Sequence, residues 1–206
     1  MTLSAANPLA DKSHLPYQLP DFAQLRPEHY QEALTAAMAD QRAALAALAA
    51  DPEPATVANV LHRYEASSEL LDRTLLAFYA VWLSYASPEL DALNEEFSPK
   101  LAQHSDAILL DRALFDRFTE LATRAQAGEV ALDAQDAWLL GATIRSFTRA
   151  GVALDAADQD TLRGLNTRLA ELGTAFQQAN RDGRVAGAVI VTDRDELDGL
   201  SEDEIT

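Results

Sequence analysis

The chain has 206 residues, no cysteine, and 33 acidic against 16 basic side chains, for a net charge of −17. Disulfides, thiolate chemistry and cysteine metal sites are excluded, and so strong a negative charge disfavours nucleic acid and anionic membrane surfaces as partners, because bringing phosphates close costs repulsion. Nearly half the residues are apolar, with Gly and Pro at only 8 each, a balance that permits a large core and favours helices.

Residues 1–26 carry Pro8, Pro16 and Pro20 with Leu9, Leu15, Tyr17, Leu19 and Phe22 between them. This composition predicts an extended arm laid over the rest of the chain. No basic stretch leads into an apolar one near Met1, so nothing there reads as a secretory signal, and no run approaches eighteen apolar residues. The expectation is a cytoplasmic protein with no membrane partner.

Pro27 and Glu28 suit the first turn of a helix. Tyr30, Leu34, Met38, Gln41, Leu45 and Leu48 then mark one face, ending at the rigid corner Asp51-Pro52-Glu53-Pro54. From Thr56 to Ser87 comes the longest seam: Val57, Leu61, Tyr64, Ser68, Leu71, Leu75, Phe78, Trp82 and Tyr85 at steps of three and four. Thr56 is its predicted cap and Pro88 marks its end. About thirty residues at roughly 1.5 Å each give a rod of about 45 Å. It forms an antiparallel hairpin with the preceding helix, and Tyr79, Trp82 and Tyr85 are read as core in preference to channel lining.

Leu90, Leu93, Phe97, Leu101 and Ile108 continue the helical pattern, with Pro99 either inside one helix or opening a second one capped by Ser98. Asp111 resembles the cap of a helix with Leu114, Phe115, Phe118 and Leu121 inward. Ala125 to Ala131 reads as a loop. Asp133 opens a helix that carries Trp138, Leu139, Ala142 and Phe147 and stops at Gly151. A last helix from Asp155 to Arg181 places Leu162, Leu165, Leu169, Leu172, Phe176 and Ala179 on the most regular seam in the chain, ending at Gly183. Val185 to Thr192, with Val189-Ile190-Val191 at its centre, is the strand candidate, and Asp193 caps a short acidic segment running to Thr206. The fold class is therefore all-α: a bundle of six to seven long antiparallel helices, an extended N-terminal arm and one strand near the C-terminus. The divisions are 1–26 for the arm, 27–183 for the bundle, and 184–206 for the start of a further region. A lone strand needs a partner for its backbone groups.

Catalytic constellations are not apparent. His14, His29, His62 and His104 form no H-E-x-x-H and no pair at helical spacing. His104-Ser105-Asp106 are sequence neighbours on a helix and cannot face one another as a triad. Glu95-Glu96 and Asp158/Asp160 read as solvated helix faces, and phosphate-cradling glycine loops are missing. No catalytic, cofactor-binding or metal residue is assigned.

Three stretches together resemble the N-terminal part of the thimet-oligopeptidase-like zinc metallopeptidases, in particular the bacterial peptidyl-dipeptidases. The first is Asn7-Pro8-Leu9, Leu15-Pro16 and Pro20-Asp21-Phe22, followed by Leu25-Arg26-Pro27-Glu28-His29-Tyr30. The second runs from Phe97-Ser98-Pro99-Lys100 to Ile108. The third begins at Phe147-Thr148-Arg149-Ala150-Gly151, passes through Leu165-Asn166, Leu169 and Phe176, and ends at Val191-Thr192-Asp193 and Glu196-Leu197. The resemblance implies a longer parent enzyme that binds one zinc through H-E-x-x-H and a further glutamate, all in a C-terminal half with no counterpart here. It also implies that these helices wall a channel admitting short peptides, that the chain alone is inactive, and that its partner is the absent catalytic region. The competing reading is a stand-alone helical interaction module without enzymatic activity. Either way, helix faces left uncovered favour dimerisation of the chain.

Overall fold

The computed structural model describes residues 3–85 and 87–201. It is all-helical: α1 Pro27–Ala49, α2 Arg63–Ser67, α3 Glu69–Ser84, α4 Pro88–Leu109, α5 Arg112–Gln126, α6 Ala134–Ala150 and α7 Ala156–Ala186. A stretch of π-helix, Val57–His62, precedes α2.

Side-chain oxygens set most helix starts by accepting from the orphan amides of the first turn. Thr56 Oγ1 accepts from Asn59 N–H at 3.1 Å, and Asn59 Oδ1 accepts from Thr56 N–H at 2.7 Å, a reciprocal box. Asp111, Asp133 and Asp155 each accept from the amide three residues on, at 3.0, 2.8 and 2.9 Å. α6 closes with Gly151 at φ 100°, a left-handed position that glycine adopts without strain. Val152 N–H reaches Phe147 O while Gly151 N–H reaches Thr148 O, the paired bonds of a Schellman cap. Pro99 lies inside α4, which remains one helix, and Ser98 caps nothing.

The seam expected between Thr56 and Ser87 is broken into pieces. The π turn adds a residue, so Val60 and Leu61 are both fully buried, and Ser68 interrupts the run before α3. α3 stops at Ser84, and Tyr85 is 83% exposed instead of inward; Ala86, inside the expected span, lies outside the described residues. In α1 all six expected face residues are buried, from Tyr30 to Leu48.

Two apolar cores result. One joins Leu9 and Leu25 of the arm to Tyr30, Leu34, Phe78, Trp82, Leu90 and Phe97. The other joins Leu45, Leu48 and Leu61 to Leu114, Phe118, Leu121, Leu140 and Phe147. Both α1 and α4 contribute to each core. Between the cores, Gln41 of α1 and His104 of α4 meet at 2.7 Å. The arm is only partly seated, since Tyr17, Leu19 and Phe22 remain exposed.

Three sequence expectations fail in instructive ways. Trp138 is 68% exposed because α6 turns Leu140, Thr143 and Phe147 inward, a face rotated away from the expected one. Gly183 does not end α7, which continues to Ala186. The strand over Val185–Thr192 is not formed: Val185 and Ala186 complete α7, and Val189 to Val191 lie outside any strand, with Val189 and Ile190 above 80% exposed. Among the described residues no second strand is present to accept their backbone groups, so β propensity alone cannot make one. Asp193 does cap a short 3-10 turn, Arg194–Leu197; the remainder of that acidic segment, 202–206, lies outside the described residues.

The largest departure concerns α7. Its regular seam faces solvent, with Leu165, Leu169, Leu172 and Phe176 each at least half exposed. The face that packs antiparallel on α4 is small and polar. Asn166 Nδ2 donates to Asp106 Oδ1 at 2.7 Å, and Ser98 Oγ donates to Ala170 O at 3.3 Å. Arg181 holds both oxygens of Asp91 at 2.9 and 2.7 Å. Thr174 is the buried residue of the helix.

Candidate functional site

The histidines stand apart. His14 is exposed in the arm, and His29 Nδ1 accepts from Arg26 N–H at the start of α1. His62 is exposed, 3.5 Å from Asp136. His104 is buried, and burial, with the Arg42 charge beside it, pushes its imidazole pKa below the ordinary range. Its neighbour Ser105 is exposed and Asp106 turns to Asn166, so the tripeptide assembles no triad. Glu96 pairs with Lys100, and Asp160 with Arg163. Among the described residues no group of three or more His, Cys, Asp or Glu side chains could hold a metal ion.

The concave surface with distinctive chemistry is a cleft between α3 and α7, floored by α4. It consists of two adjoining hollows of about 530 and 340 Å³ that share Trp82, Leu83 and Gln177. One wall is aromatic: Tyr79 is half-buried and its hydroxyl is pushed up in pKa by burial, while Trp82 is buried and donates its indole N–H to Asp91 Oδ1 at 2.8 Å. Arg181 grips both oxygens of the same carboxylate. The other wall is the polar flank of α7.

Several of the cleft's polar groups have no partner among the described residues. Asn94, a residue at 4% exposure, lines the inner hollow, and its side chain makes no hydrogen bond among the described residues. Among the described residues Thr174, Gln177 and Asn180 make no side-chain hydrogen bond, and Arg184 lies at the outer end with no ion pair. Gln177, Asn180 and Arg184 are exposed, so water is available to their polar groups, and the cleft is a polar, open hollow against an aromatic wall.

Of the three aromatic residues weighed at the sequence level, the structure brings Tyr79 and Trp82 to this cleft and sends Tyr85 to solvent. Sequence reasoning missed Asn94, Gln177 and Arg184. The signal available was a second stripe on the last helix, Asn166, Ala170, Thr174, Gln177, Arg181 and Arg184, also at steps of three and four. It lies about a third of a turn from the leucine seam at 3.6 residues per turn.

No family model matches the chain. It is 34% identical over 203 residues to the dipeptidyl carboxypeptidase of Escherichia coli (strain K12), covering 98% of this chain and 30% of that protein. The dipeptidyl carboxypeptidase of Salmonella typhimurium is also 34% identical, over 202 residues that cover 98% of this chain and 29% of its own length. Oligopeptidase A of the same organism is 27% identical over 192 residues, 90% of this chain and 27% of that protein. The chain thus spans less than a third of the curated relatives it matches. Its match to two separately named peptidases along nearly its whole length gives the assignment: the chain belongs to the thimet-oligopeptidase-like family, alongside dipeptidyl carboxypeptidase and oligopeptidase A.

Proposed function

We propose that this chain is the non-catalytic N-terminal helical region of a zinc-dependent peptidyl-dipeptidase or oligopeptidase. In that reading it walls the channel through which short peptides reach a catalytic region elsewhere in the same protein. The observation that carries the reading is the mismatch of coverage: 98% of this chain aligns, but only 30% of the dipeptidyl carboxypeptidase. The division into an arm (1–26), a helical bundle (27–183) and a lead-in (184–206) belongs to the same reading, and the zinc belongs to the remainder of the parent protein. The exposed leucine seam of α7 and the uncovered Val189 and Ile190 support it, because apolar residues contiguous on a surface mark a face that another body covers. In the isolated chain the same seam is the face through which two copies would pair.

The test is peptide hydrolysis with added zinc, comparing this 206-residue chain with the product of its full reading frame. Turnover by the long product alone is the expected result. Zinc-dependent turnover by the short chain would overturn the assignment of a non-catalytic role, and a long product without turnover would overturn the peptidase reading.

A further inference from the structure

A hollow of about 270 Å³ lies between α1 and α4 and shares no residue with the α3–α7 cleft. Thr35 and Arg42 line it from α1, and Lys100, Gln103 and His104 from α4. It gathers two cations in a chain whose net charge is −17. Among the described residues no carboxylate lines it, and Arg42 makes no hydrogen bond or ion pair. Glu96, outside the lining, reaches Lys100 at 2.6 Å with both side chains exposed.

His104 gives the hollow its particular chemistry. The residue is 6% exposed, and its Nδ1 is buried with no hydrogen-bond partner among the described residues. The other ring nitrogen is already engaged. Ser67 gives its one hydroxyl proton to Tyr64 O at 2.6 Å, so its oxygen accepts from the Gln41 amide nitrogen at 3.4 Å. Gln41 therefore turns its carbonyl oxygen toward His104, and the Nε2 that lies 2.7 Å from it carries the ring proton. Burial and the Arg42 charge disfavour a second proton on the ring. Nδ1 is thus a lone-pair acceptor on a residue that walls a cationic hollow. The cations suit an oxyanion, whereas Nδ1 needs a donor. A carboxylate offers acceptors only, as does sulfate at neutral pH. Inorganic phosphate offers both, because it keeps at least one P–OH beside its charged oxygens.

We propose that the α1–α4 hollow binds inorganic phosphate, with Arg42 and Lys100 holding its charged oxygens and a P–OH donating to His104 Nδ1. Binding supplies the partner that Nδ1 lacks and leaves the Gln41–His104 hydrogen bond in place. A buried polar atom without a partner carries a desolvation cost, which the bound ion removes.

The chain is titrated at about pH 7.5 with sodium phosphate, sodium sulfate and methyl phosphate at matched ionic strength, while NMR follows the backbone amides and the His104 ring nitrogens. At that pH a phosphate monoester, with its second pKa near about 6, is doubly ionised and has no P–OH. Inorganic phosphate is expected to shift residues 35–42 and 97–104 together with His104 Nδ1. It should bind about tenfold more tightly than sulfate or methyl phosphate, the effect of one hydrogen bond to a charged group. Arg42→Gln, an exposed change, should weaken all three anions about tenfold. His104→Gln places an amide where Nε2 stood and no polar atom where Nδ1 stood, so phosphate should fall to the affinity of sulfate. The comparison of anions on the unaltered chain needs no variant to fold. Sulfate or methyl phosphate binding as tightly as phosphate, unaltered binding in Arg42→Gln, or no shift at tens of millimolar phosphate would each overturn the proposal. Tighter binding of methyl phosphate would point instead to a phosphate group carried on a larger molecule, and it too would overturn the role of the P–OH. Peptide hydrolysis enters none of these readouts, so the site and the peptidase reading stand or fall separately.

Discussion

The first six helices and the seventh are built on opposite rules. α1 and α3 to α6 bury most of their large apolar side chains against one another and close two cores, with Leu76, Leu83 and Trp138 left exposed. α7 is the longest helix, yet it joins the bundle through Asn166, Ala170, Thr174 and Arg181 and leaves its leucines in water. The stability of the first group therefore comes from apolar burial, and the attachment of the second from a short row of hydrogen bonds and one ion pair. Burial of a large side chain contributes about 1.5–3 kcal/mol, whereas a net hydrogen bond contributes about 1 kcal/mol. α7 is consequently the element whose local opening costs least.

The sharpest way to expose that difference is to cut into the core. Phe118 is fully buried, with Tyr64 edge-on at 5.0 Å and Phe147 at 5.5 Å. Phe118→Ala should cost about 3–5 kcal/mol of unfolding free energy in urea titrations, through lost transfer energy and the cavity left behind. A loss below about 1 kcal/mol, the scale of a surface change, would mean that this core is far looser than its packing indicates.

At the α4–α7 seam the damage should be smaller and confined. Asp91 accepts from Trp82 and from both terminal nitrogens of Arg181, with roughly a quarter of its side chain still exposed. Asp91→Ala should cost about 1–3 kcal/mol. Hydrogen exchange should accelerate along the C-terminal half of α7 and hold steady in α1 and α5. Equal acceleration everywhere would place α7 inside the main cooperative unit and erase the contrast.

Between the two cores, the Gln41–His104 contact responds to pH. The folded chain holds the His104 imidazole neutral, chiefly by burial and secondarily through Arg42, so its folded pKa lies below that of the unfolded chain. Between those two values the unfolded chain binds more protons, and stability falls as pH drops below about 6.5. The decline levels off once pH passes below the folded pKa. His104→Gln keeps a donor for Gln41 and should flatten the dependence of the urea midpoint between about pH 7.5 and 5, a window set by the ordinary imidazole range. An unchanged slope in the variant would assign the pH response to other groups.

What was legible in the sequence follows the same division. The α1 face, the helix starts at Thr56, Asp111 and Asp133, the opening of the last helix at about Asp155, and the glycine stop at Gly151 depend on interactions within a few residues, and all are seen. The seam of α7 was equally legible as a helix, but periodicity reports which side chains share a face, not whether anything covers it. Val189 to Val191 went wrong for the same reason, because a strand exists only with a partner. Asn94 carried no local signal: its place in the cleft comes from α3, α4 and α7 meeting across sequence gaps of tens of residues.

The smallest expected effect is also the most discriminating. Leu169→Glu with Phe176→Glu places two charges on the exposed seam, where the parent side chains are 68% and 71% accessible. Removing side chains that bury little on folding should leave the urea midpoint within the range of an ordinary surface change, about 0.5 kcal/mol. If two copies pair through this seam, as proposed, the same pair should abolish concentration-dependent association in sedimentation, since charge on both copies of a symmetric seam repels itself. A large stability loss would show that the seam is packed within the chain. An unchanged midpoint together with lost association would show that the seam binds outside it, and the residue types that make α7 look like core would then be core of a larger body.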